Sequence, residues 1–156
     1  MLAPPTDPLD AQRSAFVEKI GLIVQGDGLP RAAGRIFGLL IWEGDAISFG
    51  DLASRLDLSR GSVSSGVRLL EDRGLIRRTA RPGDRQDWFE MGPDPFPSIL
   101  DGAAARVARA GADIAASLDT LPDDAPAAPR IRAYADFYAT LETCLRDAAR
   151  QLRTGT

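Results

Sequence analysis

The stretch from Ser48 to Met91 constrains the fold more than any other part of the chain. Its hydrophobic period changes repeatedly over a short distance, and a punctuating residue marks each change. Phe49, Leu52, Ala53 and Leu56 follow the i, i+3, i+4, i+7 spacing of a very short amphipathic helix. Ser48 and Asp51 before it resemble a capping box, with Asp in place of the usual Glu or Gln. Asp57-Leu58 leaves room only for a tight turn. Ser59 is a good N-cap, because its side-chain oxygen can accept an orphan backbone N–H. Leu58 and Val63 have the spacing of a hydrophobic staple. The helix that begins there ends at Arg73, where Gly74 supplies the left-handed closing residue. Leu75–Arg81 and Asp84–Met91 read as antiparallel strands around Pro82-Gly83, which fits the centre of a type II turn.

The flanks extend this pattern. Residues 1–9 (MLAPPTDPL) read as a flexible arm, followed by an N-terminal helix within 10–27. The apolar positions of that helix are Phe16, Val17, Ile20, Ile23 and Val24. Pro30, tolerated in a first turn, opens a second helix with the stripe Ala33, Ile36, Phe37, Leu40, Ile41, which Gly44-Asp45 ends. Ala46–Ser48 is a short extended piece. The order is helix, helix, short strand, helix, tight turn, helix, two-stranded hairpin. The expected fold is therefore mainly α with a small β-hairpin, a winged helix-turn-helix over 28–92. Gly92–Pro97 is a boundary, and two long helices fill 93–156. The first spans about Ser98–Leu121 with Leu100, Val107, Ile114 and Leu121 every seven residues. An acidic, Pro-rich loop (122–129) precedes the second, about Arg130–Arg153. There Ile131, Tyr134, Tyr138, Leu141, Leu145, Ala148 and Leu152 keep an a/d seam. These seam residues, with Phe16 and Ile20, are the expected homodimer interface. The alternative is a helix packed on its own subunit.

Composition removes several function classes. The chain has no histidine and one cysteine, Cys144. The commonest general base and metal ligand are therefore missing, and no internal disulfide can form. Zinc-finger and Ser-His-Asp chemistry are excluded, and no metal or cofactor is expected. No glycine-rich phosphate loop or nucleophile–base pair argues for an enzyme. The single cysteine leads to the expectation of a cytoplasmic protein, and the apolar runs are too short to span a membrane.

The formal net charge of −3 argues at first against nucleic acid, and dividing it reverses the inference. Arg55 to Arg85 holds eight arginines against four acids, a net of +4, which leaves −7 on the rest. A positive segment of this kind is the footprint of a phosphate-binding face. On the Ser59–Arg73 helix, Val63, Val67 and Leu70 face inward, and Arg60, Gly61, Ser64, Ser65 and Arg68 face outward, with no acid before Glu71. Arginine can contact guanine edges bidentately, and serine can contact bases or phosphates. Ser59, Arg60, Gly61, Ser62, Ser64, Ser65 and Arg68 are the candidate recognition residues. Arg78, Arg81, Gly83 and Arg85 are the wing candidates, placed for a minor groove whose negative potential attracts arginine. Asp84 beside Arg85 is placed to orient it. The competing reading is a winged-helix module that meets protein on the same face.

Gly28-Leu29-Pro30-Arg31, Gly34-Arg35 and Ser59-Arg60-Gly61-Ser62-Val63-Ser64, within Gly28–Arg85, resemble the GbsR branch of the MarR-type regulators. The resemblance implies a homodimeric transcriptional regulator, usually a repressor, which binds a pseudo-palindromic duplex operator and is released by a small effector. The wing departs from the wider MarR pattern, because Asp84 and Arg85 are adjacent instead of separated by one residue. Trp42, Trp88 and Phe137 are the candidate effector-pocket residues, since aromatic rings can cage a quaternary ammonium.

Overall fold

Helix α1 (Pro8–Gly26) starts two residues before the expected position, because Asp7 caps it. The Asp7 carboxylate accepts from Leu9 N at 3.0 Å, and Pro8 occupies a first-turn position that needs no N–H. Pro8 and Leu9 are therefore helical and not part of an arm. The computed structural model describes residues 7–122 and 124–155, so the rest of the expected arm lies outside the described residues. Helix α2 (Arg31–Glu43) follows and ends on Gly44 at φ +73°. The chain then runs through β1 (Ile47–Ser48), α3 (Phe49–Arg55), α4 (Arg60–Asp72), β2 (Ile76–Thr79) and β3 (Trp88–Met91). Helices α5 (Pro95–Ala116) and α6 (Ala128–Thr154) complete it, joined through a short 3₁₀ turn at Ser117–Thr120. The chain divides into two compact units after Pro95.

In the first unit the α1 and α2 backbones touch. A Cβ at Gly34 would lie 2.8 Å from Gly21 Cα and 2.9 Å from the Ile20 carbonyl oxygen, closer than real Cβ atoms come. Only glycine permits that approach. The apolar stripe of α2 faces the winged module. Ala33, Ile36 and Leu40 are wholly shielded, together with Leu52 of α3, Val63 and Leu70 of α4, and Phe89 of β3. The expected two-stranded hairpin is a three-stranded antiparallel sheet in the order β1-β3-β2. Ile47 pairs with Phe89 and Ser48 with Trp88, and Arg78 and Thr79 pair with the same two residues from the other side. A strand of two residues has no period of its own. Its partner lies some forty residues on, so local patterning left it outside the sheet.

The second unit holds α5 and α6. Ala104 and Ala149 are completely buried, and Arg153 reaches Asp101 at 2.6 Å. Helix α5 begins at Pro95, before the expected Ser98, and ends at Ala116, short of the expected Leu121. Two hydroxyls bond back to carbonyls here, Ser117 to Asp113 at 3.3 Å and Thr120 to Ser117 at 3.1 Å. Leu121 is extended, the state favoured before a proline such as Pro122. Helix α6 begins two residues before the expected Arg130, with Pro129 in its tolerated first turn. Along α6 the seam positions Ile131, Tyr138, Leu141 and Leu145 are half-buried, whereas Tyr134 and Leu152 are about half exposed, at 52% and 48%. Cys144 is exposed. Among the described residues, no helix is long and apolar enough to cross a membrane.

Candidate nucleic-acid interface

The interface candidate is built on α4. Asp57 at φ +49° and the bond from Leu58 N to Ala53 O (2.9 Å) close the tight turn that leads into it. Ser59 Oγ then accepts from Ser62 N at 3.1 Å and lies 2.9 Å from Ser62 Oγ. Both serines are thus engaged in the cap as well as standing at the helix entrance. At the other end, Gly74 at φ +69° closes the helix, and Leu75 N reaches Leu70 O at 3.0 Å. Val63, Gly66, Val67 and Leu70 point inward. Gly61, Ser64, Ser65 and Arg68 are exposed along the opposite face. The free N–H groups of the first turn add a positive partial charge to that face.

The eight arginines of the basic segment do not share one state. Arg55 pairs with Glu43, and Arg77 pairs with Glu90 at 2.6 Å. Arg78 is held by Glu71 at 3.2 Å and Asp87 at 2.9 Å and lies 5.4 Å from the centre of the Phe89 ring. The Glu71 hydrogen bond chiefly raises the pKa of Arg78, the charges of Glu71 and Asp87 add to it, and slight desolvation opposes them. Arg78 therefore fastens the wing to α4. Arg60 lies over the Phe49 ring at 5.0 Å, and Arg81 over the Trp88 ring at 3.8 Å. Among the described residues, Arg68, Arg73 and Arg85 make no ion pair or side-chain hydrogen bond. Five of the eight thus remain without an acid, all on α4, its C-terminal end or the wing.

The wing tip is a tight turn closed by Asp84 N donating to Arg81 O at 3.1 Å, with Gly83 at φ +82°. A positive φ there matches the third residue of a type II turn and suits glycine. Asp84 was expected to orient Arg85. Its carboxylate instead accepts from Gln86 N (3.0 Å), Gln86 Nε2 (3.3 Å) and Trp88 Nε1 (3.0 Å). The backbone N–H of Gln86 is the chief reason that its pKa lies below the ordinary value. Trp88 adds to the effect, and partial desolvation opposes it. The carboxylate form therefore orders the wing at neutral pH, and that contribution disappears as pH falls through the lowered folded value. In a Trp42→Phe background, Trp88 emission is expected to shift as the pH is taken below that value. In Asp84→Ala the emission should already be shifted at neutral pH. Identical titrations of the two proteins would contradict the assignment.

The other expected sites are placed as follows. Trp42 packs on Phe16 with ring centres 5.6 Å apart, and Ile20 packs against the core of the first unit. Trp88 belongs to the wing. Phe137, 56% exposed, packs with Tyr134 and Tyr138 on α6, where the two tyrosine hydroxyls lie 3.3 Å apart. Sequence reasoning missed Phe49, Gln86, Glu71 and Asp87 as partners of the basic segment. The contacts with Phe49, Glu71 and Asp87 join separate elements, so no local spacing signals them.

Residues 27–87 match the sequence profile of the MarR family. The chain is 34% identical over 139 residues to the HTH-type transcriptional regulator MmpR5 of Mycobacterium tuberculosis. That alignment covers 85% of this chain and 82% of the relative. The crystal structure of a transcriptional regulator superposes with a TM-score of 0.76 at 29% identity, covering 92% of this chain and 99% of the other.

Proposed function

This chain belongs to the MarR family of winged-helix transcriptional regulators, and we propose that it acts as an operator-binding repressor of the GbsR branch. Two copies form a homodimer, and each lays the exposed face of α4 in a major groove of a pseudo-palindromic site. The two recognition helices then stand about one helical turn apart. One observation carries this reading. The outward face of α4 presents Gly61, Ser64, Ser65 and a partnerless Arg68, with no acid before Glu71. Small side chains let the helix enter the groove closely, and an arginine with no internal partner keeps its whole fork for base or phosphate. Arg81 and Arg85 reach the flanking backbone or minor groove from the wing. The half-exposed aromatic and leucine positions of α6, Tyr134 and Leu152 among them, are the apolar surface that a second copy would cover. The resemblance to the GbsR branch adds release by a small effector.

The test begins with genomic fragments recovered by the protein, followed by titration of the bound duplex at several salt concentrations. Affinity is expected to fall linearly on a log–log plot, with a slope of about −0.9 for each phosphate neutralised. Light scattering of the same sample should return twice the mass of the chain. A flat salt titration would support the reading in which this face meets protein, and a monomer would remove the operator geometry.

A further inference from the structure

The wing holds Arg81 and Asp84 on one tryptophan. Trp88 sits in the central strand, with its backbone registered against Ser48 on one side and Thr79 on the other. Its indole N–H is held by Asp84, the last residue of the tip turn, and its ring face carries Arg81, the first residue of that turn. One side chain thus clamps both ends of the turn. The clamp is tied back to the body of the unit: Gly50 N donates to Gln86 Oε1 at 3.3 Å, and Phe49 N donates to Asp87 O at 2.9 Å. Phe49 is the ring under Arg60, so the aromatic supports of the two arginines belong to one hydrogen-bonded assembly.

Arg81 differs from its neighbours on the wing. Arg77 and Arg78 turn their guanidinium groups toward carboxylates. No acid takes Arg81, and it remains exposed while its flat face lies on the indole. A stacked guanidinium keeps its N–H donors at the edge, where a phosphate or groove atom can reach them. Holding the side chain in one place beforehand also reduces the ordering lost when a ligand binds. We propose that Trp88 is a positioning residue of the wing, whose Asp84-anchored indole holds Arg81 ready for the phosphate-lined groove of a duplex. This rests on the DNA-binding reading above.

The experiment is a double-mutant cycle on the full chain with a duplex recovered by the wild-type protein. Trp88→Ala is expected to weaken binding by roughly fivefold to thirtyfold, as loss of a cation–π support would. In an Arg81→Ala background the same change should have little further effect. Trp88→Phe keeps a ring face for Arg81 and should retain most of the affinity, while Trp88→Leu at the same strand position should not. Thermal melting of each variant separates loss of binding from loss of fold, and the Phe and Leu pair decides the matter where alanine is not tolerated. Equal losses with and without Arg81 would mean a merely structural tryptophan and overturn the assignment. Unchanged binding by Trp88→Ala and Trp88→Leu would overturn it too, while leaving the DNA-binding reading intact. A wild-type protein that captures no duplex overturns both.

Discussion

Truncating Phe89 to alanine is expected to cost about 3–5 kcal/mol of folding stability. Phe89 is completely shielded from solvent and lies in the middle strand of the sheet, paired with Ile47 and Arg78. Its ring joins the sheet to the core shared by α2, α3 and α4. Removing it loses the transfer energy of the ring. The cavity left behind cannot readily collapse, because a three-stranded ladder fixes the backbone on both sides. It also removes the apolar face over which Arg78 lies. Domains of this kind are stable by only about 5–15 kcal/mol, so the variant would sit near the limit of folding. Urea unfolding followed by circular dichroism measures the effect, as a lower midpoint at unchanged slope. A loss below about 1 kcal/mol would show that Phe89 is not the centre of the core.

Arg68→Ala is expected to behave in the opposite way, weakening operator affinity by about 1–3 kcal/mol while leaving stability nearly unchanged. The guanidinium is exposed and makes no internal ion pair or hydrogen bond among the described residues, so the folded chain loses little with it. Surface substitutions of this kind usually change stability by no more than about 0.5 kcal/mol. In a complex, removal of the same group would leave a base edge or phosphate unpaired. Mobility-shift titration against the recovered duplex, with a melting curve on the same sample, separates the two effects. Unchanged affinity would remove Arg68 from the contact surface. Arg78→Ala is the informative comparison, because its partners Glu71 and Asp87 are internal and its loss should first loosen the wing.

Much of the fold was legible wherever one residue type answers one local requirement. Ser48 caps a helix as its spacing with Asp51 suggested, Ser59 caps the next as its residue type and the Leu58/Val63 spacing suggested, and Gly74 and Gly83 occupy the left-handed positions that the turns need. The inward stripe of α4 is buried as its period required. The errors lie where the deciding partner is distant in sequence or where a flanking residue competes with the period. The two residues of β1 join a strand some forty positions away. Asp7 extends α1 beyond a Pro-rich start, and α5 gives way to a 3₁₀ turn after Ala116 although heptad spacing continues to Leu121.

The candidate site divides along the same line. Charge counting along the chain located the basic segment, and helical period located the outward face of α4 within it, because period alone decides which residues share a face. It could not tell one arginine from another. Glu43, Glu71, Asp87 and Glu90 fold beside Arg55, Arg78 and Arg77, while Arg68, Arg73 and Arg85 meet no acid. Asp84 turns from its sequence neighbour Arg85 to Gln86 and Trp88. Hydrogen bonds and ion pairs act over a few ångströms of space, whatever the separation along the chain. The order of elements and the buried stripes were therefore set by the sequence. Which cations remain available to a partner was decided only when the sheet and helices brought the acids into place.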